Sequence, residues 1–166
     1  MSEKKLVRTM ERADLPKAAP LVAAFRVALK GYKGIRAAAD VGAGEMELEE
    51  YLDAGFPAFV AEINGQLAGY LVCRVDEPCV WVESIYVAEE HRRKGVASML
   101  YREAENIARG FGEDTVYNYV HPNNHGMIAF LRRHGYTVLN LLEIRKPFAG
   151  EQLTRKIRVE EENFDY

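Results

Sequence analysis

Apolar residues follow two spacings along the chain, and these spacings separate predicted strands from predicted helices. Short apolar or alternating stretches are typical of strands and occur at residues 5–10, 59–63, 66–72, 80–87, 115–120, 136–145 and 153–159. Longer stretches with an apolar residue every three to four positions predict helices at residues 14–30, 45–52, 96–111 and 124–134. This order of elements predicts an α+β, or mixed α/β, fold with helices on the faces of a sheet.

Local signals fix several ends of these elements. Asn64 and Gly65 tolerate positive φ and predict a tight hairpin between two strands. A second turn at residues 76–78 joins the next strand. Asp14 is the expected N-cap of the first helix, and Gly135 is expected in the left-handed position that ends the last one. The glycine- and alanine-rich stretch 31–44 predicts a mobile loop.

Composition narrows the class of protein. A length of 166 residues suits one domain, with residues 146–166 as a C-terminal extension, and no apolar run approaches the roughly 20 residues of a membrane helix. The N-terminus lacks the apolar core of a secretory signal, and Cys73 and Cys79 are expected to be reduced rather than bridged, so we expect a cytoplasmic protein. The net charge of −3 disfavours a nucleic-acid partner.

The segment 92–98 carries the clearest chemistry. Three cationic residues precede Gly95, and a helix is predicted to begin directly after it. The first turn of a helix has unbonded N–H groups and a partial positive charge, and glycine lets a ligand approach the backbone. These features indicate a pyrophosphate site. Taken alone, the same segment is also compatible with a solvated basic loop.

The order of motifs around this segment adds specificity. Residues 84–97 resemble motif A of the GNAT superfamily of acyl-CoA-dependent N-acetyltransferases, in which a strand is followed by Arg/Gln-x-x-Gly-x-Gly/Ala and a helix. Residues 120–124 and 130–136 resemble motif B of that family, and the likeness covers about residues 5–145. It implies a GNAT-like fold, whose central, mostly antiparallel sheet has six to seven strands flanked by about four helices. It also implies transfer of an acetyl group from acetyl-CoA to a primary amine.

The resemblance assigns cofactor contacts position by position. The pyrophosphate would lie on the turn, the pantetheine arm along the motif A strand, and the thiol end near motif B. The implied cofactor-binding residues are Ile85, Tyr86, Val87, Arg92, Arg93, Lys94, Gly95, Val96, Ala97, Ser98, Asn124, Phe130 and Leu131. The family's usual proton donor is a tyrosine at the position of Leu131, so this chain lacks it.

The chemistry of amide formation suggests the remaining catalytic candidates. An alkyl amine with a pKa near about 10 is mostly protonated at neutral pH, so a base is useful. Glu83, flanked by apolar residues, is the first candidate for the base, although a strand glutamate that faces solvent or pairs with an arginine explains it as well, and His121 is the second. Tyr119 or Tyr117 is the candidate proton donor for the leaving thiolate, with water as the alternative.

Other features of the sequence bear on a metal site, the acceptor and possible partners. His121, His125 and His134 have loop-like spacing without a nearby cysteine, so no metal site is expected. The acidic residues of 45–53 suggest a cationic acceptor, such as a polyamine or a protein or peptide amine, although a solvated helix face explains them as well. A non-catalytic acyl-CoA-binding module is the alternative function. Residues 146–166 are a candidate contact in a homodimer.

Overall fold

The computed structural model describes residues 3–166, which form two compact units, residues 3–130 and 131–166. Over these residues the elements are β1 (Lys5–Thr9), α1 (Leu15–Tyr32), α2 (Val41–Asp53), β2 (Ala58–Ile63), β3 (Gln66–Asp76), β4 (Cys79–Val87), α3 (Val96–Gly110), β5 (Tyr117–Asn118), α4 (His125–Arg133), β6 (Lys156–Val159) and β7 (Glu162–Asp165). The fold is α+β, as predicted. The central sheet has five strands, fewer than the six to seven expected.

The central sheet follows the order β1-β2-β3-β4-β5, with neighbouring strands antiparallel except for the parallel pair β4 and β5. The predicted hairpin at Asn64 and Gly65 is confirmed, because both residues have positive φ, 51° and 80°. The second predicted turn is also confirmed, since β3 ends at Asp76 and β4 begins at Cys79.

Helices α1 and α2 pack on the sheet around a buried core. Fully buried members of this core are Ala18, Val22, Leu48, Val60, Tyr70 and Val72. Gly44 permits the close approach of the two helices, because a Cβ at this position would lie 2.6 Å from the carbonyl oxygen of Ala19. This packing presents one face of α1 to the end of β4.

Two helix boundaries differ from the sequence prediction. Helix α2 begins at Val41 rather than at residue 45, because the side chain of Asp40 accepts a hydrogen bond from the N–H of Ala43 at 2.9 Å. The expected long loop is therefore shorter. Asp14 precedes α1, but its side chain makes no cap. Its carboxylate instead receives two hydrogen bonds from Arg8, at 2.7 and 2.8 Å, which joins the helix start to β1.

Three strand predictions were wrong in extent or placement. The strand expected at 115–120 is reduced to the two residues of β5. Residues 136–145, all of them described, contain no strand, and Val138 is 86% exposed. The strand expected at 153–159 begins at Lys156 and pairs with β7 in a separate two-stranded sheet. Alternation of apolar and polar residues shows that a segment is suited to a sheet, but a strand forms only where another strand is available to hydrogen-bond with it.

Two further observations concern the whole described chain. Within residues 3–166, no helix combines the length and the apolar character needed to cross a membrane. Cys73 and Cys79 are both free thiols, as expected, since Cys73 lies opposite Val82 rather than Cys79 in the β3–β4 pair. The prediction of a single domain stays a prediction.

Candidate active site

The pairing of strand β4 with its neighbours changes at the middle of the strand. Its register with β3 shifts between Val72, which pairs with Ser84, and Cys73, which pairs with Val82. Glu83 is therefore the extra residue of a β-bulge. On the other side, among the described residues, β4 pairs with β5 only through Trp81 and Val82. Beyond these pairs the two strands are no longer hydrogen-bonded neighbours, which leaves a gap between them.

A cleft with about 430 Å³ of empty space, part of it open to solvent, occupies this gap. It lies entirely within residues 3–130 and is bounded by α1, β4, the segment after β5 and the start of α4. Its lining residues are Phe25, Leu29, Val82, Glu83, Ser84, Ile85, Asn118, Tyr119, Val120, His121, Asn124 and Met127. The cleft thus brings together the predicted catalytic candidates Glu83, Tyr119 and His121 with the predicted cofactor contacts Ile85 and Asn124.

Glu83 contributes the cleft's carboxylate. One of its oxygens lies 3.4 Å from Nε of Arg74, and one-third of the Glu83 side chain is exposed. Arg74 also pairs with Asp76 at 2.9 Å and lies over the ring of Trp81. Of the two interpretations of the sequence, the structure matches the strand glutamate that is partly exposed and paired with an arginine, rather than a carboxylate buried between apolar neighbours.

His121 is held by two contacts at the edge of the cleft. Its ring stacks on Tyr32, with 6.0 Å between centroids, and its Nδ1 accepts a hydrogen bond from the N–H of Asn123 at 3.2 Å. Burial, and secondarily the charge of Lys33, lower the pKa of His121 below its ordinary value. The ring is therefore neutral at pH 7. Because Nδ1 is an acceptor, the proton of the neutral ring lies on Nε2.

The two candidate tyrosines of β5 and its continuation both contact Trp81. Tyr119 stacks on the indole at 4.8 Å between centroids, lines the cleft and is 67% exposed. Tyr117 packs on the same indole at 4.9 Å but is not part of the cleft lining. The structure therefore brings Tyr119 near the other candidates and does not bring Tyr117 there.

The predicted pyrophosphate turn has the geometry of an anion-binding site. Arg93 and Gly95 both have positive φ, 63° and 81°, and Gly95 is the N-cap of α3. Hydrogen bonding within the helix begins with the N–H of Met99, so the N–H groups of the first three helical residues have no acceptor within the helix. Apart from Gly95 itself and the adjoining residues, no described heavy atom lies within 4 Å of the position that a Cβ of Gly95 would occupy. Space and donors for a phosphate therefore coincide, and the residues fit a pyrophosphate.

The cations beside this turn are partly engaged by the protein itself. Arg92 donates from Nε to the carbonyl oxygen of Val87 at 3.0 Å and lies over the ring of Tyr86. Lys94 donates to Glu3 at 3.1 Å, and the Nζ of Lys5 donates to the carbonyl oxygen of Lys94 at 2.7 Å. These contacts fix the turn relative to β4 and β1.

The predicted motif B residues separate into two groups. Asn124 is at the cleft, and its side chain accepts a hydrogen bond from the N–H of Met127 at 3.1 Å, which caps α4. Phe130 is buried against Tyr101 in an edge-on contact and is not among the residues that line the cleft. Leu131 is buried as well.

Arginines partly neutralise the acidic face of α2, which the sequence suggested as an attractant for cations. Glu47 is paired with Arg26, and Asp53 and Glu49 are paired with Arg12. The structure describes no group of three or more His, Cys, Asp or Glu side chains within residues 3–166 that could hold a metal ion.

Sequence reasoning missed part of the site. Phe25 and Leu29 are not among the predicted site residues, yet both line the cleft. Arg74, the partner of Glu83, was not predicted either. The signal for Phe25 and Leu29 was present, since both continue the apolar stripe toward the C-terminal end of α1, but helical spacing alone does not distinguish a core contact from a cleft wall.

The sequence of this chain is similar to a known protein family and to a curated protein. Residues 30–136 match the acetyltransferase (GNAT) family. The chain is 25% identical over 99 residues to "Probable N-acetyltransferase san" of Drosophila melanogaster, over 57% of this chain and 54% of that protein. The match thus spans about half the length of this curated relative.

Solved structures share the fold. Aminoglycoside N-acetyltransferase AAC(6')-Iy in complex with CoA has a TM-score of 0.69 and 18% identity, covering 89% of this chain and 97% of that one. Ribosomal-protein-alanine N-acetyltransferase from Brucella melitensis biovar Abortus 2308 has a TM-score of 0.66 and 22% identity, covering 87% and 99%. Because the family match covers more than half of the sequence, the chain belongs to the acetyltransferase (GNAT) family.

Proposed function

We propose that this protein transfers an acetyl group from acetyl-CoA to a primary amine by direct attack within a ternary complex. One observation carries the proposal. The half of β4 that lines the cleft is followed, after one short turn at Glu89–His91, by a helix start that presents the N–H groups of Val96 and Ala97 and open space over Gly95. A phosphate site and a cleft with a carboxylate therefore lie on consecutive segments. The CoA complex of a structural relative is consistent with this proposal.

Acetyl-CoA supplies an acetyl group activated as a thioester. In our proposal the backbone N–H groups of residues 93–97 and the hydroxyl of Ser98 bind its pyrophosphate, and the positive charge of Arg93 assists them. Main-chain groups of residues 85–87 bind the pantetheine arm and the thioester carbonyl. Asn124 contacts the arm from the opposite wall of the cleft.

Glu83 is the proposed base. The amine nitrogen bonds to the acetyl carbon as the carbon–sulfur bond breaks, and one amine proton passes to the carboxylate of Glu83, directly or through water. The products are an acetamide and CoA. The pairing of Arg74 with Glu83 makes Arg74 a positioning residue, because it restricts where the carboxylate lies.

His121 is better suited to donate a hydrogen bond than to accept a proton. The N–H of Asn123 occupies the lone pair of its Nδ1, so the neutral ring offers an Nε2–H donor. We propose that this donor stabilises the negative charge on the leaving sulfur. The family resemblance provides no tyrosine for this purpose, since Leu131 stands at that position. Tyr119 is the alternative donor.

Isothermal titration with acetyl-CoA tests the proposed cofactor site. Gly95→Glu places a negative side chain in the phosphate space, and we expect the Kd to rise by at least about 100-fold, equivalent to about 2.7 kcal/mol. Gly112→Glu is the matched control, because Gly112 also has a positive φ, 80°, and open space but follows the other end of α3. The control is expected to bind acetyl-CoA like the wild type.

Thiol release with a panel of primary amines tests the transfer itself. Amine-dependent release by the wild type and its loss in Gly95→Glu would establish an acetyltransferase. Acetyl-CoA binding without release for any amine would favour the non-catalytic acyl-CoA-binding module. If neither Gly95→Glu nor Gly112→Glu altered binding, the turn would not be the pyrophosphate site. The cytoplasmic location and the homodimer stay predictions.

A further inference from the structure

The wall of the cleft that α1 contributes is apolar. Two side chains of α1, Phe25 and Leu29, form one wall, and Val120 and Met127 lie in other segments that border the cleft. Phe25 is held in place by Tyr86, with 6.2 Å between ring centroids. Of the described residues that line the cleft, six are aliphatic, aromatic or thioether side chains without a polar group, namely Phe25, Leu29, Val82, Ile85, Val120 and Met127.

Charge in the cleft is sparse. Glu83 is the one carboxylate among its described lining residues, which include no lysine or arginine. The acidic residues of α2 do not add to it, because none of them is among the lining residues, and Glu47 and Asp53 are paired with arginines. A second ammonium group of a polyamine would therefore have no carboxylate partner in the cleft, and burial of an unpaired charge is unfavourable.

We propose that the preferred acceptor is a primary amine whose adjacent carbon bears a compact apolar group, which would contact Phe25 and Leu29. This inference rests on the proposed function and adds the class of acceptor to it. The amine would lie toward Glu83, and its apolar substituent would be removed from water against the α1 wall. Amines whose substituent at this wall is polar are poor acceptors, because Phe25 and Leu29 offer no hydrogen-bond partner to replace the lost water. Polyamines are poor acceptors because their second ammonium group finds no carboxylate in the cleft.

Amino-acid amides provide a direct test, because they carry the same kind of α-amine and differ in the side chain beside it. We expect kcat/KM to be at least about 10-fold higher for leucinamide than for serinamide, and spermidine to be a poorer acceptor than leucinamide. A preference for serinamide or spermidine would overturn the inference, while the turnover itself would still establish the acetyltransferase.

A variant of the α1 wall shows whether the preference arises there. Leu29→Ala is expected to lower kcat/KM for leucinamide by about 10-fold more than it lowers kcat/KM for serinamide. Leu21→Ala is the matched control, with the same deletion on the same helix at a residue outside the cleft lining. If Leu29→Ala does not fold, Phe25→Leu takes its place. An unchanged leucinamide preference in the folded variant would overturn the placement.

A binding measurement separates this inference from the proposed function. CoA lacks the acetyl group, so titration of leucinamide, serinamide or spermidine into the protein with saturating CoA measures acceptor binding without reaction. Tighter binding of leucinamide without turnover of any amine would support the acceptor class and overturn the catalytic proposal. Equal or weaker binding of leucinamide relative to serinamide or spermidine would overturn the acceptor class, whatever the turnover.

Discussion

The two halves of β4 belong to one strand but have different environments. Residues 79–82 lie between β3 on one side and, at Trp81 and Val82, β5 on the other, and Val80 in this half is fully buried. Residues 84–87 pair with β3 and with no other strand among the described residues, and Ile85 in this half is only half-buried. The bulge at Glu83 marks the border between the closed half and the open half.

This difference shows that the length of a neighbouring strand determines where the site lies. Both halves are rich in apolar residues, so their composition does not separate them. Strand β5 has two residues, and the open half of β4 begins where β5 ends. The main-chain groups on that edge of β4 are therefore free of strand pairing and accessible from the cleft. In our proposal they bind the cofactor, whereas the closed half supports the fold.

Glu83→Gln provides the strongest test of the open half. We expect kcat to fall by about 100-fold, because the amide occupies the same place but cannot take a proton from the amine. The measurement is steady-state thiol release across pH with a saturating amine.

Asp76→Asn is the control for Glu83→Gln. Asp76 pairs with the same arginine, Arg74, but is not part of the cleft lining. We expect its kcat to stay within about 3-fold of the wild type, since exposed ion pairs contribute about 0–1 kcal/mol. Equal losses in the two variants would show that the arrangement of Arg74, rather than a base at Glu83, matters for turnover.

A matched pair of alanine substitutions separates stability from activity along β4. Val80→Ala in the closed half is expected to lower the free energy of unfolding by about 2 kcal/mol, because it leaves a cavity in the core. Its kcat/KM should change little. Ile85→Ala in the open half should cost about 1 kcal/mol or less, since the side chain is half-buried, and should raise the KM for acetyl-CoA. Denaturant titration measures the free energy of unfolding, and steady-state kinetics measure the KM. A larger loss of stability in Ile85→Ala and a larger rise of KM in Val80→Ala would contradict the assignment of the closed half to the fold and the open half to the cofactor.

Much of the fold was predictable because its signals are local. Asn64 and Gly65 specify a hairpin through their own backbone preferences, and Gly95 indicates a helix start that is open to a ligand. The shortness of β5 was not predictable, since it depends on pairing with a strand more than thirty positions away. Residues 136–145 were also predicted wrongly for this reason. Their alternating pattern suits a strand, but the pattern does not show whether another strand is available to pair with it.

The chemistry of the site was predictable to a similar degree. The motif resemblance assigned Asn124 to the cofactor side, and Asn124 lies at the cleft. The partner of Glu83 was not predictable, because the bulge in β4 alters which residue of β3 lies beside it. The start of α2 at Val41 differs from the prediction because Gly42 and Gly44 favour a loop by composition, whereas Asp40 provides an N-cap that begins the helix before them.

His121→Phe tests the wall opposite the open half. The substitution retains a ring that can stack on Tyr32 but removes the Nε2–H donor. We expect kcat to fall by about 10-fold, which is the size of one hydrogen bond to a charged group. Tyr119→Phe is the comparison, since Tyr119 also lines the cleft, and it should retain nearly full activity. The opposite result would identify Tyr119 as the donor.

The pH dependence of stability gives a second measure of His121. Its pKa in the folded protein is lowered, chiefly by burial, below the unfolded value. The neutral ring therefore contributes stability that is complete above the unfolded pKa, about 6.5, and that declines as the pH falls toward the folded pKa. We expect the difference in Tm between pH 7.5 and pH 5.5 to be smaller in His121→Phe than in the wild type. If the Tm difference between the two pH values were the same in His121→Phe and in the wild type, His121 would not be a buried neutral ring in the folded protein.

Lys5→Met is expected to have the smallest effect, and it asks whether the turn that follows the open half depends on β1. The Nζ of Lys5 donates to the carbonyl oxygen of Lys94, next to the N-cap of α3. Removal of this exposed contact should raise the KM for acetyl-CoA by about 3- to 5-fold and leave kcat unchanged, since exposed charged contacts are worth at most about 1 kcal/mol. Lys4→Met on the neighbouring residue is the control, and Lys5→Arg should restore most of the affinity. If Lys4→Met and Lys5→Met raised KM equally, the effect would reflect net charge near the turn rather than the position of Lys94.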